Sequence, residues 1–257
     1  MPGGLVTGTR VLSTWRSAAL TGGGAAAGLA AAYWAFMSPY SQWLGRFPYC
    51  AKTTRRVVAL TFDDGPNEPY TSQLADYLDS EGIGATFFQV GRAVRANPEL
   101  TPRLIRAGHV IGHHSDTHNV TRCLQRRTLH TELQDAQDTF THYGIYPALY
   151  RPPWLLRVPA LFPLLREKRM QPISGVFCHP LEVFQPSPQR IAHRAAARVK
   201  PGTILIFHDG RDGRGGRRQA TLDAIKLLVP QLRERGYDFV TVDELLGIPA
   251  YQTSTAN

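Results

Sequence analysis

From residue 57 onward, short apolar runs alternate with longer segments whose apolar residues recur at helical spacing. The runs at 57–62, 85–90, 109–112, 173–177, 203–207 and 239–242 are compact, rich in β-branched and aromatic residues, and read as strands. Between them Leu74, Tyr77 and Leu78 share a helical face, and 98–107, 129–142, 188–199 and 220–235 predict helices. The alternation continues to about Ile248 with no internal repeat. Strand following helix in this way predicts a mainly parallel sheet or barrel covered by helices.

The start of the chain follows another pattern. Residues 18–37 carry no charge and follow Arg10 and Arg16, an arrangement that resembles an export signal or membrane anchor. The run is Ala- and Gly-rich and so only weakly apolar. Small residues such as Ala30 and Ala32 suit cleavage, Tyr33 and Trp34 suit a membrane interface, and an Ala-rich helix packed on the domain is the third reading. We expect residues 1–55 to be a signal or anchor segment with its spacer, 56–250 the catalytic domain and 251–257 a short tail. A membrane-anchored or secreted protein follows, with its domain outside the cytoplasm.

Composition is that of an ordinary globular protein, 43% hydrophobic and 19% charged. The net charge of +9 is concentrated at one end. Residues 1–62 contain no acidic residue and hold Arg10, Arg16, Arg46, Lys52, Arg55 and Arg56. Most of the basicity thus belongs to the N-terminal segment, and no nucleic-acid partner is expected for the folded domain. Cys50, Cys123 and Cys178 are odd in number and widely spaced, which predicts free thiols and excludes a disulfide framework or a Cys-rich zinc site.

Three strand ends carry residues that bind metals and move protons: Asp63 and Asp64, then His114 and His118, then His208 and Asp209. Strand ends are where a rigid scaffold exposes side chains. If the chain enters a helix after His113, His114 and His118 share one face and can reach one ion. Asp64 would add an oxygen ligand, completing two histidines and a carboxylate with open positions, as a catalytic zinc requires.

These stretches resemble the polysaccharide deacetylases of carbohydrate esterase family 4, the NodB homology domain. TFDDGP at 61–66, HSDTH at 114–118, RPPW at 151–154 and the apolar run ending in His208 are similar to that family's first, second, third and fifth motifs. The resemblance covers residues 56–247 and implies an α/β fold, a distorted, incomplete (β/α)-barrel, here preceded by an N-terminal apolar helix. It implies that Asp64, His114 and His118 hold a divalent metal, most simply zinc, with cobalt or another ion as alternatives. Asp63 would be the general base, oriented by Arg151, and His208 the general acid. Trp154, Pro153 and Tyr150 would line the substrate, and a backbone N–H near Trp154 would help to stabilise the oxyanion.

The chain departs from the family at the fourth motif, where an Asp supports the acid histidine. FCHPLEVF at 177–184 contains no Asp; His179 and Glu182 are the possible substitutes. The leading expectation is a metal-dependent hydrolase, with a monomeric catalytic domain, that removes acetyl groups from an N-acetylated glycan such as peptidoglycan or a chitin-like oligosaccharide. The alternatives are an O-acetyl esterase acting on a polysaccharide such as xylan, and a glycan-binding homologue without turnover.

Overall fold

The computed structural model describes residues 27–253. Helix α1 covers residues 27–36, so part of the expected apolar segment, residues 18–26, lies outside the described residues. Among the described residues no helix is long and apolar enough to cross a membrane.

Among the described residues eight strands form one sheet: β1 (Val57–Asp63), β2 (Thr86–Gln89), β3 (Val110–His113), β4 (Leu149–Tyr150), β5 (Gln171–Pro172), β6 (Val176–Phe177), β7 (Thr203–His208) and β8 (Asp238–Phe239). Their order is β5-β4-β3-β2-β1-β7-β6, with β8 paired to the start of β1, and every pairing is parallel. The helices between them are α2 (Tyr70–Ser80), α3 (Gly91–Ala96), α4 (Leu100–Arg106), α5 (Val120–Leu124), α6 (Arg126–Thr141), α7 (Leu161–Glu167), α8 (Pro188–Arg198) and α9 (Gln219–Glu234), and α10 (Val242–Leu246) follows β8.

The sheet must curl. β5 and β6 stand at its two ends, yet residues 173–175 alone join them. Four residue steps reach at most roughly 14 Å, whereas seven flat strands would separate those ends by roughly 29 Å. The result is a half-barrel with an inner and an outer face, as expected for an incomplete barrel.

Alternation along each strand then decides which side chains look inward. Val58, Leu60 and Phe62 join the main core against the helices, while Ala59 joins an inner cluster with Leu149 and Ile204. On the outer face Phe62 stacks on Phe87 at 5.0 Å and lies 5.9 Å from Phe207, its register neighbours on β2 and β7. Leu222, Ile225 and Leu228 of α9 and Ile191 and Ala195 of α8 bury this face. By the same parity Thr61 and Asp63, the residue after β3, the residue after β4, and His208 all belong to the inner face.

Candidate active site

Asp63 is in register with His208 on β7, and His113 with Tyr150 on β4. One step beyond β3 and β4 stand His114 and Arg151, so the carboxyl ends of four strands deliver their polar residues to one place.

The two adjacent carboxylates part company there. Asp63 ends β1 on the inner face, where Arg151 Nη1 donates to its Oδ1 at 2.6 Å and to Thr61 Oγ1 at 2.7 Å. Arg151 is fully buried; Nη2 donates to the Ser174 carbonyl at 2.9 Å and its guanidinium lies 4.0 Å over the Phe88 ring. Asp64 instead adopts φ +76°, a left-handed conformation rare outside glycine, and turns toward the histidines. Close packing supports this turn, because a Cβ on Gly210 would stand 2.4 Å from the Asp64 carbonyl oxygen.

Asp64 Oδ1 is buried and has no hydrogen-bond partner, while His118 Nε2 lies 3.1 Å and His114 Nε2 3.4 Å from it. One ligand atom from each of the three residues lies within 4.8 Å of the other two. A buried acceptor left unpaired is costly unless something positive occupies the space it faces. His114 Nδ1 donates to the Arg151 carbonyl at 2.7 Å, which leaves the lone pair on Nε2 facing the carboxylate. Asp212 Oδ1 faces His118 Nδ1 at 3.1 Å, which favours the same tautomer there. These donors fit a divalent cation.

The expectation that His114 and His118 share a helical face does not hold. Residues 114–118 form a turn with positive φ at Ser115 and His118, and α5 begins only at Val120. Buried Glu132 of α6 shapes that turn by accepting from the Asp116 and Thr117 amides and the Thr117 hydroxyl, while also pairing with Arg122. His113 faces outward: Ser115 N donates to its Nδ1 and its Nε2 donates to the Leu133 carbonyl, with burial lowering its pKa to about 4. It is a neutral structural residue, as is His109, whose Nδ1 accepts from Ala85 N.

His208, with 13% of its side chain exposed, donates from Nδ1 to Glu182 Oε2 at 2.6 Å. Glu182 is buried, and Thr221 Oγ1 donates to its other oxygen. Burial alone would lower the pKa of His208, but the charge and hydrogen bond of Glu182 outweigh it and raise the value to about 9. Of the two residues proposed for the fourth-motif role, Glu182 is thus the one that reaches His208. His179 Nδ1 accepts from Leu181 N instead, although the side chain borders the cleft.

Two expectations for the substrate side are corrected. Tyr150 is completely buried among Leu129, Leu133 and Leu161, because strand parity sends it outward while Arg151 goes inward. Pro153 is buried as well, and Pro152 borders the cleft in its place. Trp154, at φ +53° and 38% exposed, does border the cleft, with its ring 4.2 Å from that of His118.

Sequence reasoning missed Glu132 and Asp212, and it singled out Asp209 beside His208 without giving it a role. Asp209 accepts from Gly65 N and Thr71 Oγ1, and the Asp212 amide donates to Asp64 Oδ2 at 3.0 Å. Only its nearness to His208 in sequence hinted at Asp212, and nothing marked Glu132.

The family model described as polysaccharide deacetylase matches residues 51–171. A peptidoglycan-N-acetylglucosamine deacetylase of Bacillus cereus is 33% identical over 192 residues, covering 74% of this chain and 88% of its own. One of Listeria monocytogenes is 30% identical over 77% of this chain, which spans only 40% of that relative's length. The crystal structure of a peptidoglycan N-acetylglucosamine deacetylase shares the fold with a TM-score of 0.74, over 79% of this chain and 94% of its own, at 23% identity. With a curated relative matched along most of its length by a chain that curls into the same barrel, this protein belongs to the polysaccharide deacetylase family.

Proposed function

We propose that the chain is a metal-dependent N-deacetylase of an N-acetylglucosamine-containing glycan, most directly peptidoglycan, acting outside the cytoplasm. The observation that carries this reading is the unpaired Asp64 Oδ1 facing His114 and His118 Nε2, flanked by an Arg151-held carboxylate and a Glu182-held imidazole.

Asp64, His114 and His118 would hold the ion, most simply zinc, which when bound polarises the acetyl carbonyl and lowers the pKa of water. Asp63 takes the proton of the attacking water, and Arg151 fixes the carboxylate that receives it. His208, with Nδ1 committed to Glu182, presents Nε2–H to the amide nitrogen and protonates it as the C–N bond breaks. The water oxygen ends on the acyl carbon and its two protons on the amine nitrogen or in solvent, giving acetate and a free amino sugar. An amide nitrogen leaves poorly as an anion, so this proton matters more here than in an ester. Glu182 keeping His208 charged therefore favours amide over ester chemistry.

The test is acetate release from N-acetylglucosamine oligomers by the purified chain with zinc and after chelation. Release that requires metal and exceeds release from an O-acetylated xylan supports the reading. Equal or greater activity on the ester would replace it with the esterase.

A further inference from the structure

We propose that helix α1 forms part of the substrate cleft, with Tyr33 and Met37 contacting a sugar unit beside the one that loses its acetyl group. The proposal rests on the deacetylase reading and adds a specificity wall from outside the barrel.

The cleft of about 480 Å³ over the site is bordered by Tyr33 and Met37 as well as by Trp154, Val183 and Phe184. Met37 directly follows α1, and its amide donates to Tyr33 O at 2.8 Å, which places the two on the same side, whereas neighbouring Trp34 is not on the cleft. Tyr33 is 55% exposed, Trp154 38% and Phe184 73%. Exposed apolar side chains gathered at the rim of a polar floor suit a pyranose, which has apolar C–H faces and polar edges.

α1 is fastened there by a buried cation. Arg157 is 1% exposed, and its guanidinium donates to Ser38 O and Ser41 O at 2.7 Å each and to Ala35 O and Phe36 O at 3.4 Å. Its own amide donates to Phe36 O at 2.8 Å. These acceptors include the C-terminal carbonyls of α1, which lack partners within the helix and favour a positive charge. Ser174 Oγ donates to Pro39 O at 2.8 Å, and Phe47 packs without exposure on Leu155 and Ile206 beneath the Arg157 guanidinium. Arg157 lies three residues after Trp154, so one loop holds both the clamp and another border of the cleft.

The experiment titrates the N-acetylglucosamine tetramer and monomer by calorimetry into full-length zinc-loaded protein carrying Asp63→Asn to suppress turnover. Adding Tyr33→Ala is expected to weaken tetramer binding about three- to tenfold, the range for one lost aromatic contact, and to change monomer binding less than about twofold. Tyr33→Phe restores the tetramer affinity, and Trp34→Ala, on the same helix but off the cleft, leaves it unchanged. Equal tetramer binding with and without Tyr33→Ala, or an equal loss from Trp34→Ala, overturns the proposal. Absence of acetate release by the wild type defeats the deacetylase reading instead, a result separable from the binding difference.

Discussion

Two neighbouring carboxylates would repel each other if both faced solvent or both faced one partner. Here the positive φ of Asp64 turns it toward the histidines while Asp63 stays on the strand and meets Arg151. The two positions should therefore fail differently. Asp63→Asn is expected to lower kcat by about 10²–10⁴ with zinc stoichiometry retained, whereas Asp64→Asn should lose the metal itself, as measured by metal content after dialysis. At His208 the direction of the shift sets the pH behaviour. Its folded pKa of about 9 lies above the ordinary 6.5, so the pairing stabilises the fold fully below pH 6.5 and that contribution fades as pH rises through 9. The acid form accordingly persists to the same limit. In Glu182→Gln the alkaline limb of kcat/KM should move down by about one unit or more, because burial then acts without its opposing charge. An unmoved limb would show that Glu182 does not hold the proton on His208.

At the scale of elements, the site is the product of strand parity and of what braces each turn. The longer strands and helices were legible because their apolar periods are sustained: 188–199 was read for α8 and 220–235 for α9, against Pro188–Arg198 and Gln219–Glu234. β4 and β5 have two residues each, too few to show alternation, and went unread. The parity error at Tyr150 follows, since without β4 nothing said that Arg151 alone of the pair faces inward. The residue types and order picked out Asp64, His114 and His118, whose ligand atoms do cluster, but not the turn at 114–118, because Glu132 is distant in sequence and imposes that turn by accepting its amides. Glu132→Ala is expected to lower stability by at least about 2 kcal/mol in urea denaturation, since buried amide and hydroxyl donors lose their acceptor, and to weaken zinc binding. Gly210→Ala should cost about 1–3 kcal/mol, because the new methyl group meets the Asp64 backbone, which cannot rotate away.

For the molecule as a whole, the proposed metal site couples ion binding to folding, because Asp64 follows β1 while His114 and His118 follow β3, and only the folded sheet brings them together. Free zinc at about 100 times its Kd should add about 2.7 kcal/mol of stability, seen as a rise in Tm that chelation reverses and Asp64→Asn abolishes. The start of the chain was read as a signal or anchor with its spacer, yet Ser38, Pro39 and Ser41 are hydrogen-bonded to Arg157 and Ser174 of the domain. Nothing in an Ala-rich run reveals that an arginine more than a hundred residues away binds the carbonyls that end its helix. The central claim is that the site is a metal-dependent amide hydrolase in which Asp63 moves the proton. Its most direct measurement is acetate release from the N-acetylglucosamine tetramer by zinc-loaded wild type and zinc-loaded Asp63→Asn. The account predicts release by the wild type that chelation stops, and release at least about a hundredfold slower in the variant at equal zinc content. Undiminished release by Asp63→Asn, or release by the wild type that chelation leaves intact, would contradict it.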